Sequence, residues 1–180
     1  YVVAGAMLEN KLGQSWEELL AANVFAPLAL GSAGFGAPGK AGELKQPAGH
    51  ALAADGSQRA FRVGEGVTDN PVVLGPAGRV HMSLDDLLTY LAAHRDESAF
   101  LSGPTWRVLH QPPYGGDYAM GWIVRPNGAL WHNGSNTLWY AEAQFDAASG
   151  IAAAAASNDG NLQKSAAEVG HALLGAAAAA

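Results

Sequence analysis

The sequence contains no cysteine, which removes disulfides, cysteine-based zinc sites and thiol nucleophiles together. It has no apolar run of about eighteen residues, so no segment reads as membrane-spanning. Charge is scarce: charged residues make up 14% of the chain, and its ten Lys and Arg residues are scattered. A net charge of −6 without a basic stripe argues against a nucleic-acid partner, because nothing is in place to neutralise phosphates. Tyr1 to Leu8 is apolar but has no basic flank and does not read as a signal peptide. The chain also opens without Met, in mid-pattern, and reads as a piece of something longer.

Several catalytic signatures are missing as well. There is no Gly-rich phosphate loop, no Gly-x-Ser-x-Gly elbow and no His-Glu-x-x-His. The histidines, at 50, 81, 94, 110, 132 and 171, show no metal-ligand spacing on an expected helix. Neither a metal nor a cofactor is expected. Nor is there a Ser-x-x-Lys, in which a lysine one helical turn after a serine takes its hydroxyl proton. Lys11, Lys40, Lys45 and Lys164 are preceded at that spacing by Leu8, Ala37, Gly42 and Asn161.

What remains is a chain of 180 residues, 49% of them hydrophobic, enough for one domain with a real core. Residues 1–12 are apolar nearly all round and predict a buried helix closed by Gly13. Ser15 and Glu18 have the form of a capping box, opening a helix that presents Trp16, Leu19 and Leu20 and stops near Pro27. Residues 31–80 are rich in Gly, Pro and Ala and predict a long irregular wall with short strands at most. Ser83 caps a helix whose Leu84, Leu87, Leu88 and Leu91 form an amphipathic stripe. A short helix is expected over residues 104–110.

After Pro113 the pattern changes to strands over residues 118–124, 129–133, 138–145 and 151–157, the last two joined by a turn. Asn158 or Asp159 then caps a final helix bearing Leu162, Ala166, Val169 and Leu173. The fold class is α+β: one partial domain over residues 1–180, helical and irregular to 112, antiparallel strands and a closing helix over 113–180.

Trp131-His132-Asn133-Gly134-Ser135 is the sharpest feature. A histidine at a strand end beside small residues can face a cleft, and Gly134 lets a substrate backbone approach. The Ser135 amide suits a developing oxyanion. Against this stands the plainer reading, a turn histidine bonded to backbone.

Other blocks raise the first reading. Tyr1 to Glu9 with Leu12-Gly13-Gln14-Ser15-Trp16 resembles the helix after the Tyr-x-Asn motif of the serine β-lactamase and penicillin-binding family, in its class C and esterase-like branch. Val24-Phe25-Ala26-Pro27-Leu28-Ala29-Leu30 is similar to that family's IFxPLGM segment. Gly75-Pro76-Ala77-Gly78 through Ser83-Leu84-Asp85-Asp86-Leu87 resembles its GPAGGLxSTxxDLA stretch, and Tyr118-Ala119-Met120-Gly121-Trp122 its YGLGW. His132-Asn133-Gly134 sits where the family has Lys-Thr-Gly or His-x-Gly. The resemblance implies a β-lactamase/transpeptidase-like fold without its N-terminal strands and nucleophile helix. It also implies that Ser-x-x-Lys and Tyr-x-Asn lie upstream of residue 1, so that this chain alone is inert.

Carried over, His132 and Ser135 take catalytic positions, with Asn133, Gly134 and Asn136 toward substrate. Asn133 stands where the family's Thr offers a carboxylate-binding hydroxyl, which leaves esters and amides open beside β-lactams. The implied partners are a small acyl substrate and a missing segment or neighbouring chain covering the sheet. A periplasmic or secreted setting fits the family.

Trp139 and Tyr140 read more simply as sheet residues, Asn136 as a turn residue, and Tyr114 and Tyr118 as rim or surface aromatics. His81 reads as a loop hydrogen-bonder, while His50, His94, His110 and His171 show no partner. Asp85 and Asp86 suit a helix first turn. The competing function is a binding module that kept the scaffold and lost catalysis.

Overall fold

The computed structural model describes residues 1–160 together with residues 168, 171, 172, 175 and 176. Helix α1 spans Val2–Leu12 and ends on Gly13, whose left-handed φ of 68° lets its N–H reach the Glu9 carbonyl. Contrary to expectation the helix is not buried: Val3, Met7, Leu8 and Leu12 are exposed, and Gly5 alone is buried. Its contact edge is narrow because Gly5 lies against the Pro76 ring, where any Cβ would collide. Helix α2, Trp16–Leu20, carries the expected capping box: Ser15 N–H donates to Glu18 Oε2 at 2.9 Å and Glu18 N–H to Ser15 Oγ at 3.2 Å. It continues as a wider turn over Ala21–Phe25, where Phe25 and Trp16 close on the Phe35 ring.

The wall over residues 31–80 holds short pieces, as its composition predicts. Strand β1, Gly34–Phe35, pairs with β4, Val80–His81; β2, Gly49–Leu52, pairs with β3, Gln58–Phe61. A turn of 3-10 helix, Val72–Leu74, leads into the short α3, Gly75–Gly78. Helix α4, Leu84–Arg95, starts on Ser83, whose hydroxyl accepts from Asp86 N–H. Its buried stripe is not the leucine series, since Leu84 and Leu88 are exposed. The face turned inward carries Leu87, Tyr90, Leu91 and His94. That series has the same spacing, and the sheet beneath accepts the aromatic and the imidazole in place of two leucines. Helix α5, Gly103–His110, follows as expected and buries Trp106.

The main sheet is antiparallel, in the order β5 (Ile123–Val124), β6 (Leu130–Ser135), β7 (Tyr140–Asp146) and β8 (Ile151–Ser157). The strand expected over 118–124 shrinks to β5. Gly121, at φ 93°, turns the chain back on itself, so that Val124 N–H bonds to the Asp117 carbonyl and Ala119 N–H to that of Trp122. Leu130, Ala143 and Phe145 point from the sheet to one face and meet Leu91, Ala119 and Trp122 in the core. Complete burial of Phe145 and Leu91 stabilises the fold by about 1.5–3 kcal/mol each. The architecture is thus α+β. The expected final helix with Leu162, Ala166, Val169 and Leu173 lies outside the described residues, apart from single positions. No helix among the described residues is long and apolar enough to cross a membrane.

Candidate active site

Strand β6 is launched by the turn at Gly128, φ 90°, where Arg125 N–H donates to the Ala129 carbonyl. That bond fixes the ladder's phase. Backbone groups of Trp131, Asn133 and Ser135 point toward β5, and those of Leu130, His132 and Gly134 toward β7. β5 pairs only as far as Trp131, so Asn133 and Ser135 present their amides along a strand edge that no described strand covers. A Cβ on Gly134 would meet nothing within 4 Å, which leaves the approach to that edge open.

His132 points to the α4 face, beside Tyr118. Its Nε2 lies 3.0 Å from the Tyr118 hydroxyl, with the two rings edge to face. The Tyr118 hydroxyl in turn lies 3.4 Å from that of Tyr1. Burial pushes the Tyr1 phenol up to about 12, with the Tyr118 hydrogen bond adding to it, so Tyr1 is neutral at physiological pH. The strand's alternation sends Asn133 to the other face. There its Nδ2 donates to the Tyr140 hydroxyl at 3.0 Å, and Tyr140 donates to Glu142 Oε2 at 2.9 Å. Glu142 is buried, and its Oε2 also lies 3.1 Å from His171 Nδ1. Burial is the first cause raising the Tyr140 phenol.

Ser135 is exposed, and its hydroxyl is committed to the turn: it donates to the Trp139 carbonyl at 2.8 Å and accepts from Thr137 N–H at 3.0 Å. Only its amide is left for chemistry. Asn136 is engaged at both ends of its amide, with Oδ1 accepting from Leu138 and Trp139 N–H and Nδ2 donating to Asp69 Oδ1 at 2.8 Å. The structure therefore gathers His132, Asn133, Gly134 and Ser135 on one strand and sets Asn136 apart as a turn residue.

His81 bonds the Gly36 carbonyl, as a loop histidine would. The other histidines do have partners, which the sequence did not reveal. His50 bonds the Asn158 carbonyl, His94 pairs with His110, and His171 holds Glu142. Sequence reasoning also missed Tyr118 as the partner of His132, because their pairing depends on the Gly121 turn. Glu142 left one signal: a carboxylate flanked by Ala141 and Ala143 in the middle of a strand.

The Beta-lactamase family profile matches residues 1–178. The chain belongs to the Beta-lactamase family. No curated protein sequence matches it. Among solved structures, this Beta-lactamase-family chain is similar to an octameric penicillin-binding protein homologue from Pyrococcus abyssi, at 21% identity and a TM-score of 0.72. The match covers 98% of this chain and 41% of that one. A penicillin-binding protein from Bacillus halodurans matches at 18% identity and TM-score 0.74, over 94% of this chain and 52% of that one. A D-amino acid amidase from Ochrobactrum anthropi, complexed with L-phenylalanine amide, matches at 20% identity and TM-score 0.65, over 87% and 47%. At these identities the likeness is one of fold. The chain spans about half or less of the length of these relatives.

Proposed function

We propose that this chain supplies the substrate-facing strand of a serine acyl-transfer hydrolase acting on β-lactams, esters or D-amino-acid amides. The observation that carries the reading is the open edge of β6, where the Ser135 amide is unpaired by any described strand and Gly134 leaves room beside it. A strand amide of this kind, already held in place, stabilises an oxyanion without reorganising during the reaction.

In this reading the nucleophilic serine lies in a segment outside the present sequence, which has no Ser-x-x-Lys. The serine oxygen forms a bond to the substrate carbonyl, and the Ser135 amide donates to the resulting oxyanion. The C–N or C–O bond then breaks, the leaving group takes a proton, and water releases the acyl group. His132, held by Tyr118, positions the groups that move that proton. The exposed apolar face of α1 and the neighbouring Val72 and Val73 supports a covering segment of the same protein.

The test is intact-mass spectrometry after exposure to a penicillin and to an activated ester. This chain alone should take no acyl adduct. A longer chain that includes an upstream Ser-x-x-Lys should take one, on that serine, and His132→Ala there should lower kcat/KM at least about tenfold. An adduct on the present chain would sink the reading. An unmodified serine in the longer chain would favour the alternative, a binding module, for which the missing Ser-x-x-Lys is the supporting observation.

A further inference from the structure

Asn133 stands at the end of a hydrogen-bond chain whose polarity can be worked out from its buried end. Glu142 Oε2 lies in the interior, accepts from the Tyr140 hydroxyl at 2.9 Å and has His171 Nδ1 3.1 Å away. A phenol has one hydrogen to give. Once it goes to the carboxylate, the Tyr140 oxygen can only accept from its other neighbour, the Asn133 side chain at 3.0 Å. The Asn133 amide must therefore turn its nitrogen to Tyr140 and its carbonyl oxygen away. Flipping it would set Asn133 Oδ1 and Glu142 in competition for one proton and leave one of them, in a buried setting, with no donor from the phenol.

Asn133 Oδ1 has no partner among the described residues and is absent from their buried unpaired atoms, so it faces the accessible side of the half-buried side chain. The edge offered outward is thus Oδ1 with one remaining Nδ2 hydrogen: an acceptor beside a donor. A carboxamide brings a donor and an acceptor and complements both. A carboxylate brings acceptors only and sets negative oxygen against Oδ1.

We infer that Asn133, held by the Glu142–Tyr140 chain, is a specificity-determining residue that selects a carboxamide-bearing substrate over its carboxylate counterpart. This rests on the acyl-transfer reading above.

The experiment is a titration of the isotope-labelled chain, followed through its backbone and Asn side-chain amide signals by NMR. Two probes of one skeleton are used, N-acetyl-D-alaninamide and N-acetyl-D-alanine, at equal ionic strength. The amide probe should shift the Gly134, Ser135 and Asn133 side-chain signals with a Kd at least about tenfold below that of the acid. Asn133→Thr, a change at a half-buried strand position, should move the preference toward the acid. Tyr140→Phe, with the spectrum otherwise retained, should shrink it.

Equal binding of both probes at these signals overturns the inference and leaves the acyl-transfer reading standing. Full preference retained in Tyr140→Phe also overturns it. If neither probe moves Gly134 or Ser135, the acyl-transfer reading falls and the inference with it.

Discussion

The Nδ1 of His94 and the Nε2 of His110 lie 3.0 Å apart, joining α4 to α5 inside a ring of aromatic side chains. Tyr90, Trp106, Trp122 and Phe145 approach His94 with ring centroids 4.6, 4.9, 5.3 and 5.5 Å away. One imidazole donates and the other accepts, so the pair is satisfied only while both rings are not charged together. Burial, and then the neighbouring His110, lowers His94 to about 3; burial also lowers His110, against a smaller opposing pull from Glu97 at 3.9 Å.

Acid should therefore unfold this protein through that pair. The unfolded chain binds a proton at His94 near pH 6.5, whereas the folded chain does not until about 3. Stability is fully present above pH 6.5 and is lost as pH falls below it, by about 1.4 kcal/mol per pH unit for each excluded proton. Urea denaturation at pH 7, 6, 5 and 4 reads this slope. His94→Phe, which fills the cage without a proton site, should flatten it by about one proton's worth. Parallel slopes for the two proteins would place the acid sensitivity elsewhere.

Tyr118→Phe removes the hydroxyl that lies 3.0 Å from His132 Nε2 and 3.4 Å from the Tyr1 hydroxyl, on a side chain that is 42% exposed. Stability should change by less than about 1 kcal/mol. The His132 ring should lose its fixed tautomer, seen as averaging of its two nitrogen shifts in long-range nitrogen–proton NMR spectra. In the longer, nucleophile-bearing chain kcat/KM should fall about tenfold while the fold is kept. Unchanged ring nitrogens would show that Tyr118 does not orient His132.

How much of this was legible in the sequence depends on the distance over which each feature is decided. Capping is local. Ser15 with Glu18, Ser83 and the Gly13 terminus were readable because each needs only a few adjacent residues. The β7–β8 hairpin was readable from strand composition and a tight turn. The inward face of α4 was not, because Leu84 and His94 differ in hydropathy in the direction opposite to their burial, and only the aromatic cage explains the exchange. In the same way His132 was found as a motif, but its partner Tyr118 and the Asn133–Tyr140–Glu142 chain are products of register and of the Gly121 turn.

The core and the α1 face should respond very unequally to loss of apolar surface. Phe145 is 1% exposed and touches His94, His110 and Trp122, so Phe145→Ala should cost about 3–5 kcal/mol. Met7 is 67% exposed, and Met7→Gln should shift stability of this chain by no more than about 0.5 kcal/mol. Chemical denaturation of both variants decides it. A large loss for Met7→Gln would mean that the α1 face is covered in solution, for example by a second copy, which sedimentation would then detect.

Asn136 and Asn133, three residues apart, should separate into a structural and a recognition role. Asn136→Ala strips the Oδ1 acceptor from the Leu138 and Trp139 N–H groups and releases Asp69, leaving that carboxylate to Arg79 at 3.3 Å. The turn also holds Thr137 at φ 77°, a backbone position that a β-branched residue adopts only when its surroundings impose it. Stability should fall by about 1–3 kcal/mol, and protection of the Leu138 and Trp139 amides from hydrogen exchange should drop with it. Asn133→Ala leaves no backbone donor unpaired and should cost about 1 kcal/mol or less. If Asn136→Ala left stability and amide protection intact while abolishing probe binding, Asn136 would belong with the substrate after all, and the open edge of β6 would extend into the turn.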